Sequence, residues 1–120
     1  MAAIIIGKPH SGKSTTIREL KDILRKEMDG FHSFLHAGKL GYILSTSFEE
    51  TSRDVEATIS RLADYDLLVF ACRGSKLSAV HRALEKSSFV AKDILIKSVK
   101  EARKRAFDVV EFFNSNLFSV

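Results

Sequence analysis

Residues 1–16 read Met1-Ala2-Ala3-Ile4-Ile5-Ile6-Gly7-Lys8-Pro9-His10-Ser11-Gly12-Lys13-Ser14-Thr15-Thr16, and the order of these residues decides the fold. Met1 to Ile6 is a short, wholly apolar run with three β-branched residues at its end, the pattern of a strand buried on both faces. Gly7 closes it. Beyond the second glycine, Ile17, Leu20, Leu24 and Met28 recur at three- and four-residue intervals. That spacing predicts an amphipathic helix from about Lys13 to Met28, ended by Asp29-Gly30.

Downstream, the alternation of strand and helix continues. Phe31 to Lys39 (FHSFLHAGK) reads as a loop or an edge hairpin, because Phe31, Ser33 and Leu35 can share a strand face but the run is short and flanked by glycines. Tyr42 to Thr46 reads as a strand, and Thr51-x-x-Asp54 as a capping signal for a helix carrying Val55, Ile59 and Leu62. Leu67 to Cys72 (LLVFAC) reads as a buried strand, followed by a helix face of Leu77, Val80 and Leu84. Asp93 to Lys97 reads as a further strand, and Val99, Ala102, Ala106, Val109 and Phe113 as the stripe of a closing helix. A β-α-β-α-β-α-β-α order predicts the α/β class: a three-layer α/β/α arrangement with a mostly parallel sheet of four to five strands, in one unit spanning residues 1–120.

Composition excludes several alternatives. With 120 residues, 45% hydrophobic, 28% charged and a single proline, the chain can bury a core and is not disordered. Cys72 is the only cysteine, so a disulfide scaffold is excluded, and no Cys/His pairs stand at the spacing of a zinc site. His32 and His36 are four apart but lack a third ligand. The apolar run of Ala2 to Ile6 is too short to span a bilayer, so a cytoplasmic protein without a membrane partner is expected. A net charge of +4 and a pI near 9.3 favour anionic partners without requiring them.

Gly7 to Ser14 satisfies G-x-x-x-x-G-K-S, between a predicted strand and a predicted helix. Gly7 permits a tight exit from the strand, and Gly12 lets the backbone approach a ligand. Successive N–H groups around Ser11 to Ser14, at the positive end of a helix, would then face an anion. Gly7, Lys8, Pro9, His10, Ser11, Gly12, Lys13, Ser14 and Thr15 form the candidate binding set. The alternative is a glycine turn that happens to contain Lys-Ser, and His10 reads either as a phosphate contact or as a solvated loop histidine. At these residues the chain resembles the P-loop NTPases. The resemblance implies Mg²⁺-nucleotide binding, with Lys13 at the β- and γ-phosphates and the Ser14 hydroxyl on Mg²⁺, and in most members hydrolysis or phosphoryl transfer.

Ser45-Thr46-Ser47-Phe48-Glu49-Glu50-Thr51-Ser52-Arg53-Asp54 is similar to the strand-end segment of RecA-like ATPases of the KaiC type. That similarity implies a catalytic base at Glu49 or Glu50, which would orient and deprotonate water. The two carboxylates also suit the positive start of a following helix. Where such enzymes carry an Asp at the end of a neighbouring strand, this chain has Ala71-Cys72-Arg73, and Asp66 falls at the strand's opposite end. Arg73 is a candidate for stabilising transferring charge or for holding nucleotide without turnover; an ordinary exposed arginine is the other reading. Cys72 reads as a small core residue.

Lys97, Lys100, Arg103, Lys104 and Arg105 offer a basic segment for nucleic acid if the last helix reaches Lys97, or else a solvated face. The run from Phe112 to Phe118 caps the core or makes an oligomer or protein contact. The function expected from these readings is Mg-ATP binding with slow hydrolysis, ATP being favoured because no guanine-selecting Asn-Lys-x-Asp segment occurs. Alternatives are a non-hydrolysing nucleotide-dependent binding switch and a small-molecule kinase with its acceptor on the Phe31 to Lys39 loop.

Overall fold

The computed structural model describes residues 1–51 and 53–117. Its strands are β1 (Ala2–Ile6), β2 (Ser33–His36), β3 (Lys39–Leu44), β4 (Leu67–Cys72) and β5 (Ala91–Leu95), and its α-helices are α1 (Lys13–Ile23), α2 (Val55–Arg61), α3 (Leu77–Lys86) and α4 (Ala102–Leu117). The sheet runs β2-β3-β4-β1-β5. All neighbouring pairs are parallel except β2 and β3. The chain is therefore an α/β domain with a mixed, mostly parallel five-stranded sheet.

Strands β1 and β4 are central, and every one of their residues is buried. Their side chains alternate between two cores, as a period of two requires. Ala3, Ile5, Val69 and Ala71 join Leu20, Ala106 and Phe113 on the α1/α4 face. Ala2, Ile4, Leu68 and Phe70 join Ile59 and Leu84 on the α2/α3 face. Each fully buried Ile or Leu contributes about 1.5–3 kcal/mol. Helices on both faces give an arrangement compatible with three α/β/α layers.

The helix and strand limits differ from expectation at several places. Helix α1 stops at Ile23 rather than running to Met28. Arg25–Glu27 form a 3₁₀ turn and Met28 makes an isolated bridge with Phe34, because the chain must already turn into the hairpin. The Phe31 to Lys39 segment supplies an edge hairpin, and β3 starts at Lys39, not Tyr42, since pairing with β2 recruits Lys39 to Gly41. Its Ala37-Gly38 turn precedes β3, at the amino ends of the parallel strands, whereas Phe31 and His32 lie at the other end of β2. The cap of α2 is Asp54, whose Oδ2 accepts the Ala57 N–H at 2.8 Å, rather than Thr51.

Strand β5 lies two residues earlier than expected. As an edge strand it has only β1 to set its register, and Ala91 pairs with Ala2. Ile96 stays attached, donating its N–H to Ile6 O at 2.9 Å. Val99 does not join the apolar stripe: it sits in a 3₁₀ turn before α4 and is exposed. Lys97 therefore precedes the helix, and Arg103 and Arg105 are held by Glu19, Asp22, Glu101 and Asp108, so the basic residues do not form one helical stripe. His36 lies in a strand, with Glu27 and Asn114 on its two ring nitrogens. In the C-terminal run Phe113 is buried against the core, whereas Phe118, like Ser52, lies outside the described residues. Among the described residues no helix is long and apolar enough to cross a membrane.

One packing detail yields a prediction. A Cβ added at Gly41 would stand 2.1 Å from Phe34 Cζ. The tip of the Phe34 ring covers this glycine, and the ring is fully buried. Gly41→Ala is expected to cost about 1–3 kcal/mol through overpacking, read as a lowered urea midpoint with unchanged m-value.

Candidate functional site

The site follows from the topology. Chains leaving the adjacent strands β1 and β4 go to opposite faces, β1 into α1 and β4 into α3. Such a divergence opens a crevice at the carboxyl ends of the two strands. Gly7 and Arg73 flank it, tied together by the Gly7 N–H donating to Cys72 O at 3.1 Å.

Residues 7–15 form the floor of that crevice. Gly7 is required there, since an added Cβ would lie 2.1 Å from Ser11 Oγ and 2.8 Å from Ile96 O. Gly12 caps α1 at φ 106°, a left-handed conformation, and a Cβ there would meet Val99 Cα at 2.9 Å. His10 also holds a positive φ, 64°, and is exposed. The first intrahelical bond is Thr16 N–H to Gly12 O at 2.8 Å, so the amides of Lys13, Ser14 and Thr15 have no acceptor within the helix. No side chain caps this end, and its first turn holds no acidic residue. Free amides at the positive end of a helix are suited to an anion.

Lys13 is only 7% exposed, and its ammonium donates to Gly7 O and Lys8 O, both at 2.8 Å. Burial lowers its pKa, the Arg73 charge lowers it further, and Glu50 and Glu49 oppose the change. Lys13 and Arg73 thus share one crevice with Glu50 and Glu49. Lys13, Ser14, Glu50 and Arg73 line a cleft of about 400 Å³. Ser14 is exposed to it. Ser11 Oγ is buried within the loop and has no hydrogen-bond partner among the described residues.

The acidic pair divides. Glu50 pairs with Arg73, Oε1 to the guanidinium at 2.7 Å, and borders the cleft. Glu49 turns into residues 72–76 instead. It accepts from the backbone N–H groups of Arg73 (3.0 Å), Gly74 (3.2 Å) and Lys76 (3.0 Å), from Ser75 Oγ (3.1 Å) and from Cys72 Sγ (3.4 Å). Burial pushes its carboxyl up, but the hydrogen bonds from the Arg73 and Lys76 backbone and the Cys72 thiol outweigh it and bring the pKa down to about 2. A carboxylate so engaged is a clamp and a weak proton acceptor. Nothing in the order Glu49-Glu50 distinguishes these two roles, because the 3₁₀ turn Phe48–Glu50 decides which way each points.

Arg73 stands at the carboxyl end of β4, where the carboxylates come from Glu49 and Glu50 and not from the strand itself, and Asp66 lies at the far edge, its backbone O accepting from the Met1 amino group at 2.8 Å. Cys72 is buried and its thiol is raised to about 11, chiefly by that burial, which keeps it protonated near neutral pH. Among the described residues no three His, Cys, Asp or Glu side chains group as metal ligands. A larger cleft of about 780 Å³ lies between β5 and α4, where Arg105 is already neutralised by Glu101 and Asp108. Comparisons with known protein families, with curated proteins and with solved structures give no match for this chain.

Proposed function

We propose that the chain binds a magnesium-bound nucleoside triphosphate, ATP in preference to GTP, in the cleft at the carboxyl ends of β1 and β4 and hydrolyses it slowly, as a small member of the P-loop NTPases. The observation that carries this reading is the uncapped, acid-free first turn of α1 beside Lys13 and Arg73, which together call for a ligand with several negative charges. The amides of residues 13–15 and the Lys13 ammonium cradle the phosphates, and Arg73 meets charge at the transferring end.

Ser14 is the residue suited to hold the metal, by its exposed hydroxyl, with phosphate oxygens completing the set. Bound there, the ion would supply charge neutralisation between phosphates. Glu50, rather than the clamped Glu49, is the proton acceptor for water in this reading. The Arg73 guanidinium holds Glu50's carboxyl below its usual range, which weakens it as a base and supports slow turnover. The same ion pair supports the second reading, a binding switch without turnover.

Phosphate release from ATP separates the two. Glu50→Gln is expected to lower kcat by about 10²–10⁴ while nucleotide binding persists. Unchanged turnover in Glu50→Gln removes Glu50 as the base, and tight binding with no release from the wild type establishes the switch.

A further inference from the structure

We propose a second anion site, in the groove between the start of α2 and helix α3, that takes a small molecule bearing a phosphate monoester. The groove has a volume of about 410 Å³ and presents Arg53, Lys76, Arg82 and Lys86 with two carboxylates, Asp54 and Glu56. Both carboxylates are engaged: Asp54 caps α2 through the Ala57 N–H, and Glu56 accepts from Lys86 at 3.2 Å. Among the described residues Arg53, Lys76 and Arg82 make no ion pair. Four cations thus face two carboxylates on one concave surface, and the excess of positive charge favours an anionic ligand.

The chemistry of the lining selects the ligand. Two guanidinium groups can each grip a phosphate with paired N–H donors, and the ammonium of Lys76 adds a point charge. Lys76 is half-buried and its backbone is fixed by Glu49, which anchors the stem that carries this cation. Ser78 contributes an exposed hydroxyl. The volume lies near the low end of the range for small-ligand sites, roughly 300–1,000 Å³. Among the described residues no aromatic side chain lines the groove to stack a base, which favours a small ester over single-stranded nucleic acid.

Residues 73–76 border both clefts: Arg73 lines the first, Ser75 and Lys76 line the second, and Glu49 holds them from beneath. Occupancy of the groove thereby bears on Arg73, and any coupling must be reciprocal. The anion site itself stands apart from the nucleotide reading; this coupling rests on it.

Amide chemical shifts of a Lys13→Ala variant, followed while sodium phosphate and then glycerol phosphate replace sodium chloride at constant ionic strength, test the site. Saturable shifts are expected at residues 53–57 and 75–83. Arg82→Gln in that background is expected to weaken the response by about tenfold. Lys76→Gln should act in the same direction, which preserves the test if the first variant folds poorly. Shifts confined to residues 7–15, unsaturable shifts over the whole surface, or indifference to both substitutions overturn the proposal. So does an oligothymidine that occupies residues 75–83 far more tightly than either phosphate. Failure of the wild type to bind ATP, with the groove shifts intact, would overturn the nucleotide reading alone.

Discussion

Glu49→Gln is expected to lower the stability of the fold by about 2–3 kcal/mol at neutral pH, the larger part of what a carboxyl shifted this far below its ordinary value can supply. The shift runs from 4.5 to about 2. Because the folded pKa is depressed, the stabilisation is fully present above the unfolded value near 4.5 and disappears as pH falls toward 2. An amide keeps one acceptor oxygen but turns an N–H₂ toward donors that need a lone pair, so part of the network at residues 73–76 is left unsatisfied. Urea unfolding of wild type and variant between pH 7 and pH 2 reads the effect as a gap that closes with acid. A constant gap across that range, or none, would show that Glu49 does not clamp the β4–α3 loop. If turnover instead collapsed while stability held, Glu49 would be the base and Glu50 would not.

How much of this was legible beforehand depends on what each residue's neighbours constrain. Strands β1 and β4 were readable because both of their faces are buried, leaving uninterrupted apolar runs bounded by a glycine or charged residues. Strand β5 was not, because an edge strand has one neighbour, and its register is set by pairing with β1 rather than by its own pattern. The end of α1 was hidden by Leu24 and Met28. Both continue the helical spacing past Ile23, Leu24 as a buried core residue and Met28 as a strand-like bridge. Gly7 and Gly12 announced a close backbone approach, and the structure shows atoms within 3 Å of where each Cβ would stand. The division between Glu49 and Glu50 was not legible, since it follows from long-range hydrogen bonds to residues 72–76. The groove holding Arg53, Lys76 and Arg82 was missed for a similar reason. Arg53 lies far in the chain from Lys76 and Arg82, and only the packing of α2 against α3 gathers the three.

Lys13→Ala is expected to abolish the stabilisation that nucleotide confers while leaving the empty protein nearly as stable as before. With Mg-ATP at a hundred times its Kd, the wild type should gain about 2.7 kcal/mol. For a domain of this length that corresponds to a rise on the order of 10 °C in the thermal midpoint. The empty variant loses two hydrogen bonds, to Gly7 O and Lys8 O. It also sheds a buried ammonium whose charged form is opposed by burial and by Arg73. These contributions have opposite signs, so the net change should stay within about 1 kcal/mol. A small change in the empty protein beside a complete loss of the ligand response separates a binding lysine from a structural one. Melting curves with ATP and with GTP, at low and high salt, supply the measurement, since contacts to polyphosphate weaken as salt rises. A wild type indifferent to both nucleotides refutes the triphosphate reading. A variant that keeps its ATP response moves the phosphates away from Lys13, and with them the part given to residues 7–15.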